Sequence, residues 1–147
     1  MSAASKSRVF SCPSVSSAVL KNGLKAYFVR RPQLPLASIH LVIPCGAEAD
    51  PPGKAGLAHL TAEMLTLGTQ KRSASQLAAD VDGWGASLSA SSGWNSTSLH
   101  LFGLSEDFER LMNLLLEIYT QPAFSPEEFE QLRPVSYTHL RAHETVL

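Results

Sequence analysis

These 147 residues predict an α+β domain, a largely antiparallel sheet covered by helices on one face. Three observations carry that expectation. Lys21-Asn22-Gly23 lies between two apolar runs, and an Asn-Gly pair there is the strongest short-range hairpin signal, because both residues tolerate the positive φ of a tight turn. From Leu36 to Cys45, Ile39, Leu41 and Ile43 alternate with Ser38, His40 and Val42, the period of two of a strand with one face on a core. Farther along, Phe108, Leu111, Met112, Leu115 and Ile118 recur at helical spacing on one face.

Taken in order, the first hairpin runs from Val19-Leu20 through the Asn-Gly turn to a returning strand, Leu24 to Val29, closed by Arg30-Arg31-Pro32. In the strand from Leu36 to Cys45, His40 falls on the face away from the isoleucines and is expected to be solvated or partly covered. Asp50-Pro51-Pro52-Gly53-Lys54 breaks the sheet and opens a helix from about Ala55 to Leu67. Ser73 and Gln76 form a capping box, each side chain satisfying the other's backbone N–H. The helix they announce runs to about Trp84 and stops near Gly83 and Gly85.

Two alternating strands, Ala86 to Ser91 and Ser96 to Phe102, are joined through Gly93-Trp94-Asn95. Ser105 is expected to cap the amphipathic helix that follows. A last helix starts at Phe124-Ser125-Pro126-Glu127-Glu128-Phe129, with a serine cap, proline at the first position, and Phe124 and Phe129 placed as a hydrophobic staple. The order β-β-β-α-α-β-β-α-α is that of helices layered on a largely antiparallel sheet.

Composition narrows the function classes. Twelve basic and 13 acidic residues leave a net charge of −1, which gives no electrostatic footprint for nucleic acid. Cys12 and Cys45 are too few for a disulfide framework or a cysteine metal cluster. No apolar run approaches the ~20 residues of a membrane-spanning helix. Residues 1–17 are serine-rich and free of acid, and they read as a disordered leader or linker. No serine sits in a strand-turn-helix nucleophile context, which removes serine hydrolysis. Trp84 and Trp94 flank the strand between Gly85 and Gly93 and are read as core or interface aromatics.

The C-terminal run from Val135 reads V-S-Y-T-H-L-R-A-H-E-T. It resembles the translation of an adaptor used in sequencing libraries, so residues 134–147 are read as a non-native tail and the domain as residues 18–133. His139 and His143, spaced i, i+4 beside Glu144, imitate a helical metal site and are set aside with the tail.

The chemistry-bearing stretch is Gly56-Leu57-Ala58-His59-Leu60-Thr61-Ala62-Glu63-Met64. An inverted zinc motif, H-x-x-E-H, places two imidazoles and a general-base glutamate on one helix. Here His59 occupies the first ligand position, Ala62 the base position and Glu63 the second ligand position. A methyl group cannot accept a proton. At i, i+4, His59 and Glu63 meet on one helix face, a contact that contributes only a few tenths of a kcal/mol.

Several blocks in order resemble the N-terminal domain of the insulinase/pitrilysin peptidases, which include the mitochondrial processing peptidases. They are L-K-N-G-L-K-A-Y-F-V, P-G-K-A-G-L-A-H-L-T-A-E-M-L, L-G-T, K-R-S-A, G-A-S-L-S-A-S-S, S-T-S-L-H-L and P-A-F-S-P-E-E-F. The resemblance implies an insulinase-type domain, truncated, whose third zinc ligand would be a glutamate beyond Arg133. It implies no catalytic residue and no complete metal site in this chain, with zinc expected in an active partner or half. It further implies a homologous peptidase subunit or a second half of the same chain as partner, and peptide as substrate. Ser89, Ala90, Ser91 and Ser92 correspond to a sheet edge that can take an extended peptide as an added strand. The expected role is thus a non-catalytic partner of a zinc metalloendopeptidase. The alternatives are a fragment of an active enzyme whose motif lies elsewhere in the gene, and a scaffold subunit without a proteolytic role.

Overall fold

The computed structural model describes residues 13–132. The chain divides into two compact units, Met1–Pro35 and Leu36–Leu147. In the first unit, strands β1 (Val15–Val19) and β2 (Lys25–Val29) form an antiparallel hairpin. Its turn falls where the Asn-Gly pair predicts it, though only Gly23 takes a positive φ, 85°: the Gly23 N–H donates to the Leu20 carbonyl at 2.9 Å, and the Asn22 side chain accepts from the Leu24 N–H at 3.1 Å. Strand β1 begins inside the segment expected to be a leader, because Val15 already pairs with Val29.

The second unit holds the three-stranded antiparallel sheet β3-β5-β4, made of β3 (Leu36–Ile43), β4 (Ser87–Ser92) and β5 (Thr97–Leu104). The strands thus make two sheets, all of their pairings antiparallel. Helices α1 (Leu57–Met64), α2 (Ala74–Gly83) and α3 (Phe108–Thr120) alternate with them in the expected order. Residues 126–132 are helical, and the Phe129 N–H donates to the Ser125 carbonyl at 3.0 Å.

Period two decides which strand residues are inside. Leu99 and Leu101 of the central strand are fully buried, with Ile39 beside them. On that face they meet Leu65, Leu77 and Val81 and the α3 stripe Leu111, Leu114, Leu115 and Ile118. Each such side chain contributes about 1.5–3 kcal/mol of transfer free energy. Gly103 lets α3 come close, since a Cβ there would stand 2.9 Å from a Leu111 methyl.

Several expectations are corrected. Ser105 does not cap α3: Ser105–Asp107 form a 3-10 turn, and Asp107 stands at the cap position without a side-chain bond to the helix backbone, its carboxylate accepting from Arg110 at 2.9 Å instead. The buried face of α3 takes Leu114, whereas Phe108 in the first turn is exposed. Its stripe follows i, i+3, i+4, i+7, and Phe108 lies at the helix end rather than over the sheet. The Ser73–Gln76 capping box forms as expected, and α2 ends at Gly83 with Trp84 as its C-cap, where the sequence placed its stop. Trp84 is half-buried with the Arg110 guanidinium 5.2 Å above its ring, while Trp94 is 73% exposed. The expected leader (through residue 12), the adaptor-like tail and the histidines at 139 and 143 lie outside the described residues.

Candidate functional site

Helix α1 begins later than its sequence suggests, at Leu57, because Gly56 takes a left-handed conformation with φ 92°. The helix has no capping side chain at that position. Asp50 supplies one from across the Pro51-Pro52-Gly53 turn: its carboxylate accepts from the Gly56 N–H at 2.7 Å and the Ala58 N–H at 2.8 Å. An anion on the first N–H groups also favours the helix dipole. Sequence reasoning missed Asp50, and the signal available was an acid just before a Pro-Pro-Gly turn ahead of a helix lacking its own cap.

The three motif positions follow one turn later. His59 Nε2 lies 3.4 Å from Glu63 Oε1, both side chains partly exposed. Ala62 between them is fully buried, facing the interior with Met64. The arrangement brings one imidazole and one carboxylate together on one helical ridge. It offers two donors where a catalytic zinc takes three and a water, and the base position carries a buried methyl. Among the described residues, no group of three His, Cys, Asp or Glu side chains is placed to hold a metal ion. The residues present do not fit a catalytic zinc centre.

Helix α1 packs against β4 and β5. β4 is an edge of its sheet, so the four residues Ser89, Ala90, Ser91 and Ser92 lie on the margin beside that helix. Ser89 and Ser91 point outward and Ala90 inward. The Ser91 hydroxyl lies 3.0 Å from that of Ser98 on β5.

Behind α1, the Gly68-Thr69 turn is latched to the end of α3. Gly68 holds φ +110°, and a Cβ there would meet the Arg72 carbonyl at 2.9 Å. Thr69, buried, donates from Oγ1 to Glu117 Oε1 at 2.6 Å and accepts from the Lys71 and Arg72 N–H groups. Arg72 pairs with Glu117 and, through Nε, with Asp80 at 2.8 Å. Burial pushes the Glu117 carboxyl up, but the hydrogen bonds from Arg72 and Thr69 and the charges of Arg72 and Lys71 outweigh it and hold it below its ordinary value. The hydrogen bond to Glu117 raises Arg72 against the opposing effect of burial. The L-G-T and K-R-S-A blocks of the sequence are the parts of this latch.

The sequence model of the insulinase family (peptidase family M16) matches residues 26–145. The chain belongs to this family. It is 31% identical over 109 residues to an uncharacterized zinc protease of Rickettsia bellii, covering 74% of this chain and 26% of that protein. It is 27% identical over 139 residues to the mitochondrial-processing peptidase subunit beta of Mus musculus, covering 95% of this chain and 28% of the relative. The chain therefore spans about a quarter of the length of the curated relatives it matches.

Two solved structures show the same fold. One is a peptidase M16 inactive domain from Pseudomonas fluorescens, with a TM-score of 0.75 and 24% identity over 82% of this chain and 29% of that one. The other is a protease from Helicobacter pylori, with a TM-score of 0.76 and 22% identity over 84% and 30%. An insulinase-type α+β domain is thus shown. Among the described residues no helix is long and apolar enough to cross a membrane.

Proposed function

We propose that this domain is the non-catalytic side of a zinc metallopeptidase, contributing peptide-binding surface and chamber closure to an active homologous subunit or half. One observation carries the reading. On a retained family scaffold, the base position is the buried methyl of Ala62 and the second ligand position is the carboxylate of Glu63. Proton abstraction from a metal-bound water needs a basic atom within hydrogen-bond reach, and Ala62 has none. Zinc and general base then come from the partner. Names among the relatives support pairing: several are a subunit beta of a processing peptidase.

Peptide would add to the free edge of β4 along Ser89–Ser92. Among the described residues β4 pairs with β5 alone, and edge N–H and C=O groups template an extended strand. A second reading, an enzyme fragment whose complete motif lies in the rest of the protein, is favoured by the quarter-length coverage of relatives named zinc proteases.

The test is reconstitution. The complete gene and its neighbours are read for an intact H-x-x-E-H, and the protein is assayed for chelator-sensitive endopeptidase activity alone and with that partner. Activity only in the pair is expected, and His59→Ala should leave it unchanged. Activity of the 147-residue chain alone, abolished by His59→Ala, would overturn the proposal. An intact motif downstream in the same reading frame selects the second reading.

A further inference from the structure

The face of the three-stranded sheet away from the helices carries two imidazoles, face to face. His40 on β3 and His100 on β5 are direct partners in the antiparallel ladder. Their neighbours Ile39, Leu99 and Leu101 point into the core, so strand alternation puts both histidines on the opposite face. The rings lie almost parallel, with centroids 4.0 Å apart and 14° between planes. Ser38 Oγ lies 3.3 Å from His40 Nε2 and 2.9 Å from His100 Nε2.

Among the described residues nothing beside the stack offsets a charge on it. On the same face β3 presents Ser38 and Val42, β5 presents Ser98 and Phe102, and β4 presents Ser87, Ser89 and Ser91, none of which titrates in the range of imidazole. Helices α1, α2 and α3 pack against the other face, so their ionisable groups, His59, Glu63, Asp80, Asp82 and Glu117 included, lie across the core. One proton on the pair leaves a single cation against a neutral ring. A second puts two like charges face to face, and about 4 Å of separation weakens its binding about fivefold even in bulk water and more at a protein surface.

From this geometry we propose that the stack of His40 on His100 is an acid-sensitive clasp between β3 and β5, closed while at most one ring is protonated and opened by the second proton. Opening swings the exposed His40 ring into water and leaves the backbone ladder in place. Burial, then the charge of His40, holds the His100 ring below its ordinary value near 6.5. The folded chain therefore binds fewer protons than the unfolded chain as pH falls through that value. The contribution of the clasp to stability is undiminished above about pH 6.5 and declines below it. Ser89 of β4 is the partner of His100 on its other side, so the clasp lies one strand from the edge proposed for peptide. It depends neither on that edge nor on the partner-subunit reading.

The test is a pH titration of the 147-residue chain, followed through its histidine ring protons by NMR from about pH 8 to about pH 4.5. The curves of the two rings should be stretched, with an apparent Hill coefficient below about 1, as coupled sites require. Cross-ring nuclear Overhauser contacts should be present at about pH 8 and lost once both rings are charged. In His40→Gln, a change at an exposed strand position, the His100 curve should become that of a single site, with its midpoint moved up. The Tm lost between about pH 8 and about pH 5 should be smaller in His40→Gln than in the parent, because glutamine takes up no proton. A His100 curve of unchanged midpoint and shape in His40→Gln, or cross-ring contacts that persist with both rings charged, would overturn the proposal. Those contacts are read in the parent chain, so a variant that fails to fold leaves that outcome decisive.

Discussion

Ala62 decides more chemistry than its size suggests. Its methyl is fully buried, so the position where the resemblance expects a base is also a piece of the core. Ala62→Glu, the single change that would rebuild the base, places an unpaired carboxylate in the interior, where desolvation raises its pKa. A folded-state pKa above the unfolded one means the carboxylate's penalty is absent at low pH and grows as pH rises through the unfolded value. The expected cost is about 3 kcal/mol at pH 8 and clearly less at pH 4. Thermal denaturation at the two pH values checks it, and equal Tm for variant and parent at pH 8 would show that position 62 accepts charge. The identity of the groups at 59, 62 and 63 was legible in the sequence, because a donor atom belongs to its own residue. The burial of Ala62 was not, because what covers a helix face lies elsewhere in the chain.

At the scale of elements, the latch between the Gly68–Arg72 turn and α3 is the clearest device. Glu117 is held below its ordinary value near 4.5. A depressed folded pKa stabilises above the unfolded value and is lost as pH falls through the folded one. Arg72→Gln removes the pairing from the partly buried Glu117 and should cost about 2 kcal/mol at pH 7. The gap from wild type should shrink as pH falls below 4.5, because the unfolded chain takes up the proton there while the paired Glu117 of the folded wild type takes it up only at lower pH. Urea unfolding from pH 3.5 to 7 measures the gap, and a pH-independent difference would remove Glu117 from the account. Local signals announced the elements well: the Asn22-Gly23 turn and the Ser73–Gln76 box both formed as read. The Asp50 cap and the Thr69–Glu117 bond escaped, the latter joining residues 48 positions apart. Ser105 failed as a cap because a 3-10 turn intervened before α3.

At the scale of the molecule, burial is uneven. Leu101 is fully enclosed between sheet and helices, while Phe28 on the first hairpin is 55% exposed. Leu101→Ala should destabilise by about 3 kcal/mol through lost transfer and a residual cavity. Phe28→Ala should stay within about 0.5 kcal/mol in the global transition, as exposed substitutions do. Chemical denaturation of both variants compares them, and similar losses would mean that the hairpin is part of the same cooperative core.

The sequence by itself determined the class of the domain, the order of its elements, its family and the side-chain chemistry at positions 59, 62 and 63. Each of these is written in local periods, caps or side-chain chemistry. Only the tertiary structure decided which surfaces those residues meet. It pairs His40 with His100 and lets Ser38 reach across 62 positions to share them, it buries Ala62, and it leaves β4 as an edge. Period two tells which face a strand residue takes, but register and neighbour order come from pairings between distant strands, and no local pattern carries them.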